Sequence, residues 1–163
     1  MPHFVRHLSH PILIILCLVF AVPALAGPQV LAGFTLPVGD LNDGADMGVH
    51  GGISMHYPVV PLTFSAGPTV IYHRLPGPGD DDSFTFLELL VTATLSIPAG
   101  PTLCGGLGYT FPGAEIGGVD LDPEKEFTMV IGTGTKLALL EIKGLWHHLG
   151  DTNFVTISAG LGF

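Results

Sequence analysis

Charge is scarce in this chain: charged residues make up 12% of its 163, and lysine and arginine together number five. An ordinary soluble domain carries about 25%, so a normally hydrated surface cannot cover the whole molecule. After residue 26 the only bases are Arg74, Lys125, Lys136 and Lys143, set against fourteen acids, a net charge near −10 with histidines neutral. Phosphate backbones would repel such a chain, which excludes nucleic acid as a partner. Cysteine is nearly absent as well. Only Cys104 lies beyond the N-terminal segment, so no intramolecular disulfide can brace the rest. Apolar runs of the ~20 residues that a spanning helix needs are missing.

The N-terminal segment, residues 1–26, has early basic character at Arg6, an apolar run from Ile12 to Val22, and closes on Pro23-Ala24-Leu25-Ala26. That pattern predicts a secretory signal peptide cut after Ala26. Cys17 does not make it a lipoprotein signal, because Leu16 stands where a small residue is needed. Residues 27–163 are left as one domain.

What fills those residues is two-residue periodicity, punctuated by Gly, Pro, Asn and Asp. Eight strands are expected: Gln29–Val38, Met47–Tyr57, Leu62–His73, Phe84–Ile97, Thr102–Phe111, Phe127–Thr133, Leu137–His147 and Phe154–Phe163. In the second, Val49, Ile53, Met55 and Tyr57 oppose Gly48, His50, Gly52, Ser54 and His56. The fourth mixes Phe84, Phe86 and Leu90 with Glu88 on one face, and Val130 breaks the polar side of the sixth. Near-ten-residue strands suit a tilted transmembrane barrel. In lipid, such a closed barrel is the alternative to a helix that satisfies every backbone group.

The face opposite the apolar one is Gly, Ser and Thr, with Glu88, Glu141 and Lys143 nearly its only charges. Small weakly polar residues suit the lumen of an eight-stranded barrel, whereas a water-facing side would carry Lys, Glu and Gln. The rival is a secreted lipocalin-like barrel with its apolar face inside, holding lipid. Connection lengths favour the membrane reading. Pro58–Pro61, Pro98–Pro101 and Gly134–Lys136 are short. The intervening connections are longer and acidic, with Asp40, Asp43 and Asp46, then Asp80, Asp81 and Asp82, then Glu115, Asp120, Asp122, Glu124 and Glu126, and finally Asp151. Tyr72, Phe111, Phe127 and Trp146 are expected at one bilayer interface and Tyr57 and Phe163 at the other.

The C-terminal strand puts Val155, Ile157, Ala159, Leu161 and Phe163 on one face and ends the chain on an aromatic. It resembles the last strand of small Gram-negative outer-membrane β-barrel proteins of the OmpA/OmpX-like barrel superfamily. The segment Gly33–Tyr57 is similar to their first hairpin. The resemblance implies an all-β, eight-stranded antiparallel up-and-down barrel in the bacterial outer membrane. It also implies a final strand (Ile157, Ala159, Leu161, Phe163) read by the barrel-assembly machinery, periplasmic chaperones in transit, and surrounding lipid or lipopolysaccharide.

Candidate chemistry is sparse. Glu88, Glu141 and Lys143, with His50 and His56, are expected as a lumen polar cluster of structural character, because buried charges must pair. His50, His56 and His73 face inward, while His147 and His148 are placed at the start of the last loop. His50 and His56 lie ~20 Å apart along one strand and cannot share an ion, so no metal site and no cofactor are expected. The loop Asp40–Asp46 has aspartates but neither EF-hand spacing nor a closing Glu, leaving weak divalent binding at the acidic loops. Ser54-Met55-His56 is the nearest match to the His and Ser of a lipid A deacylase, in reversed order and facing inward, and no Gly-x-Ser-x-Gly elbow occurs. No enzyme is expected. A structural or interactive barrel displaying acidic loops, its lumen largely plugged, is the first expectation. The alternatives are a narrow porin-like pore for small apolar solutes, left open by inward glycines such as Gly52, Gly67, Gly106, Gly108, Gly132, Gly160 and Gly162, and, less favoured, a lipid A-modifying enzyme.

Overall fold

The computed structural model describes residues 27–162, apart from 80, 81, 99, 122, 123 and 138. The expected signal peptide, Phe163, Asp80, Asp81 and Asp122 lie outside the described residues. The strands are β1 (Pro28–Val38), β2 (Gly48–Met55), β3 (Tyr57–Val60), β4 (Phe64–Pro76), β5 (Ser83–Ser96), β6 (Thr102–Ile116), β7 (Val119–Leu121), β8 (Glu126–Leu137), β9 (Leu140–Leu149) and β10 (Thr152–Gly162). All neighbours are antiparallel. The sheet closes because β1 pairs β10 from Gln29↔Gly162 to Val38↔Asn153, while β2 pairs β4. Strands β2 and β3 form one wall. Ser54↔Thr69 and Tyr57↔Ala66 keep the same register across the gap at His56. That register puts Met55 opposite Pro68, which has no N–H to donate. With β7 only a short return on β6, the barrel has eight walls.

Several expected boundaries are corrected. Pro58-Val59-Val60 is strand, paired to β4, and the chain turns at Pro61–Thr63, where Leu62 takes φ 63°. Gly134-Thr135-Lys136 is strand too, because β8 pairs with β9 as far as Leu137↔Leu140. Strand β6 runs five residues beyond Phe111 and folds back through Gly117 and Gly118, both at positive φ, so that Glu115 pairs with Asp120. Backbone pairing extended these strands where proline, glycine or charge suggested turns and loops.

Alternation is maintained around the wall. Phe34, Ile53, Val91, Leu107, Ile131 and Ile157 are each more than half exposed on the outside. Among the described residues, charge on that outer face of the strands is confined to Arg74 and Glu115, both toward the end bearing the longer connections. This loop end is opposite a turn end that holds both Pro28 and Gly162. The lipocalin-like arrangement, apolar face inward, is therefore not the one adopted. Tyr72, Phe111, Phe127 and Trp146 all point outward, as do Ile157, Ala159 and Leu161 of the last strand.

Inward residues follow a finer order. From the loop end, β4 presents Leu75, His73, Ile71 and Thr69; β5 presents Phe86, Glu88, Leu90 and Thr92; β9 presents Leu149, His147, Leu145 and Lys143. Apolar and polar layers alternate down the lumen. Leu75, Phe86, Leu149, Phe154 and Ala45 form the first apolar layer, and Ile71, Leu90, Val130 and Leu145 the second. Val130 is thus a lumen core residue, and what looked like a flaw in the sixth strand's pattern is a packing contact. Gly52, Gly67, Gly106, Gly108, Gly132 and Gly160 are close approaches rather than gaps, while Gly162 is not crowded. A Cβ on Gly108 would lie 2.0 Å from the Leu89 carbonyl oxygen, and one on Gly33 would lie 2.0 Å from that of Ile157 and 2.9 Å from the His50 ring.

Candidate functional site in the lumen

The polar residues expected as one cluster are divided by the second apolar layer. Toward the turn end, Lys143 Nζ is 3.1 Å from Glu141 Oε2. Gln29 of β1 reaches past the glycines of β10 to join them, its Nε2 donating to Glu141 Oε2 at 2.8 Å and its Oε1 accepting from Lys143 Nζ at 3.4 Å and Ser54 Oγ at 3.3 Å. His56 stands apart, with Nε2 2.7 Å from Thr92 Oγ1, itself 2.7 Å from Thr69 Oγ1. An open vestibule of about 450 Å³ reaches this end, bordered by His56, Gln29, Lys136 and Glu141.

Toward the loop end, Glu88 is fully buried between two imidazoles. His73 Nε2 is 3.2 Å from Glu88 Oε2 and His147 Nδ1 is 3.0 Å from Glu88 Oε1. His147 is therefore not on a loop. It sits within β9, inward like Glu141, Lys143 and Leu145, and has no exposed surface. His148 is also in the strand, but outward, stacked on Trp146 at 5.4 Å. His50 joins the layer through Thr35: Thr35 Oγ1 is 3.1 Å from His50 Nδ1 and 2.9 Å from His73 Nδ1, and His50 Nε2 is 2.8 Å from Ser158 Oγ. His147 Nε2 is 3.0 Å from Thr156 Oγ1, and Thr110 Oγ1 donates to Glu88 Oε1 at 3.4 Å.

With each imidazole carrying one hydrogen, a consistent set of donors satisfies this chain. A carboxylate only accepts, so His73 Nε2 and His147 Nδ1 carry hydrogen. Thr35 then donates to His73 Nδ1 and accepts from His50, whose Nε2 accepts from Ser158, while Thr156 donates to His147. Among the described buried side chains only Thr102 Oγ1 and Glu126 Oε2 lack a partner, so both layers are satisfied networks of the kind that fix a unique interior. Two apolar layers enclose the Glu88 layer. Phe154 stacks on His147 at 4.6 Å and packs edge-on to His73 at 4.9 Å. Between the polar layers remains a cavity of about 30 Å³ beside Ile71, Leu90, Thr92 and Cys104, room for about one water.

Thr35, Thr110, Thr128, Thr156 and Ser158 were not singled out from the sequence, nor was the pairing of His73 with His147. The signal was present for His147, since 141, 143, 145 and 147 share one parity. Which residues meet across the lumen depends on strand stagger, which alternation does not report.

An eight-stranded, all-antiparallel closed barrel with this exterior is the architecture of small outer-membrane proteins. Comparison of structures bears that out. The chain is similar to Ail, the attachment invasion locus protein of Yersinia pestis, with a TM-score of 0.60 and 13% identity over 84% of this chain and 95% of that one. It is similar also to Neisserial surface protein A, at 0.61 and 16% over 85% and 97%, and to a de novo designed transmembrane β-barrel, at 0.57 and 14% over 84% and 95%. At such identities the likeness establishes the fold alone. No protein-family model and no curated protein matches the sequence.

Proposed function

We propose that this chain is an integral protein of the bacterial outer membrane, a non-enzymatic barrel that displays acidic loops on the cell surface around a lumen closed to solutes. The observation that carries the reading is the pairing of an outer wall of apolar side chains with a lumen packed in alternating layers. An apolar exterior suits lipid, including lipopolysaccharide, and the layers under Phe154 and Leu75 oppose passage. Two bonds link three of the loops: Asp82 accepts the Gly117 N–H at 2.8 Å, and the Asp46 N–H donates to the Pro76 carbonyl at 2.8 Å. Ser54 and His56 each bond elsewhere, which supports a barrel without acyl-transfer chemistry. The outward Ile157, Ala159 and Leu161 support a final strand that serves as the assembly signal.

The test is electrophoresis of the membrane-extracted protein with and without boiling, followed by recording in planar bilayers. A compact band that shifts only on boiling, with silent bilayers across salts and voltages, is the expected result. Recovery in the soluble fraction with no shift refutes the membrane placement, and steady single-channel steps refute the closed lumen.

A further inference from the structure

Glu88 is a fully buried carboxylate whose partners are the His73 and His147 imidazoles and the Thr110 hydroxyl. Lys143 is engaged with Glu141 beyond the second apolar layer. A buried carboxylate is costly unless its surroundings compensate the charge. What surrounds it has the composition of a metal centre: among the described residues, His73, Glu88 and His147 are the one trio whose ligand atoms all lie within 4.8 Å of each other.

We propose that His73 Nε2, His147 Nδ1 and the Glu88 carboxylate form a divalent-metal site in the lumen, filled by zinc as the barrel closes. Tetrahedral zinc with bonds of 2.0–2.2 Å to nitrogen and oxygen sets its ligands about 3.3 Å apart. Here His73 is 3.2 Å from Glu88 Oε2 and His147 is 3.0 Å from Oε1, and the three ligand atoms lie within 4.8 Å of one another, so the trio draws together slightly around the ion. Two imidazoles and one carboxylate are a borderline set that suits zinc and disfavours magnesium and calcium, which take oxygen. The three ligands come from the neighbouring strands β4 and β5 and from β9, which pairs with neither, so the ion ties the β4–β5 pair to a wall apart from it in the sheet. Each imidazole is already oriented from behind by a hydroxyl, His73 by Thr35 and His147 by Thr156. On metal binding the two ligand nitrogens give up their hydrogens. The far nitrogens then become donors, and the hydroxyls rotate to accept, as a threonine can. The three side chains have no exposed surface, so on this proposal the ion is captured during folding and held afterwards.

The test uses the untagged chain, both extracted from membranes and refolded from urea with zinc, then dialysed against a chelator and analysed for metal. About one zinc per folded chain, released only when boiling unfolds the barrel, is expected. Refolding with cobalt should give the visible absorption of a four-coordinate ion. Glu88→Gln, which keeps the side-chain shape, should lower retained metal at least ~10-fold while the boiled-versus-unboiled shift persists. Fewer than ~0.1 ions per folded wild-type chain from both sources would overturn the site and leave a trio held by protons alone. Metal removed by chelator without unfolding would overturn it too, since that ion lies on exposed groups such as His148. The wild-type stoichiometry decides the matter even where the variant does not fold, and it does so whichever solvent surrounds the barrel.

Discussion

Val91→Arg tests the membrane placement at its most sensitive point. Val91 is 66% exposed, faces outward, and is flanked in register by Pro68 and Leu107. It lies five residues from Ser96, the turn-end limit of β5. At about 3.4 Å per residue and a tilt near 40°, that is about 13 Å along the axis, half of an apolar band ~25 Å tall. An arginine there sits at the midplane, where it costs about 2–4 kcal/mol, roughly a 30- to 700-fold change in the folded-to-unfolded ratio. On a water-facing wall the same change would fall within about 0.5 kcal/mol. Val119→Arg, on the exposed β7 return beyond the wall, should likewise cost little. Reversible urea unfolding in lipid vesicles measures both, with the fluorescence of the single, outward Trp146 as probe. Equal stabilities for Val91→Arg and wild type would refute the argument that lipid meets this face.

Three further outcomes follow from the lumen. Phe154→Ala removes a fully buried ring that stacks on His147 and packs on Phe86, and should cost about 3–5 kcal/mol in the same unfolding assay. Glu88→Ala strips two imidazoles and Thr110 of their shared acceptor and should cost about 3–5 kcal/mol, well above the effect at exposed Asp40. Gly33→Val sets a side chain against the Ile157 carbonyl and the His50 ring; the fraction of refolded protein migrating as the compact unboiled band should fall sharply, and an unchanged fraction would contradict the close approach of β1 to β10.

The wall was legible in the sequence because it is written at a period of two, and every inward or outward residue of β2 and β10 read from that period faces as expected. The lumen was less so. Leu75, His73, Ile71 and Thr69 repeat apolar and polar at every second inward position, a period of four along the chain, and the same order recurs in β5 and β9. Only the stagger between walls turns those three runs into layers, and it depends on pairs such as Ile71↔Glu88 and Val130↔His147 that single strands do not encode. Connection ends misled where composition and pairing disagree: Glu115 is acidic yet lies on a ladder, and Lys136 is charged yet lies in β8.

The reach of Gln29 past β10 bears on how the chain folds. Its partners Glu141 and Lys143 come 112 and 114 residues later, and His50 reaches Ser158 108 residues on. None of these bonds can form until the first and last strands meet. An open sheet would hold half of each polar layer dry and unpartnered, so a partly closed barrel is penalised relative to both the unfolded chain and the finished one. Closure should therefore be all-or-none, with the seam between β1 and β10 formed at the barrier rather than after it.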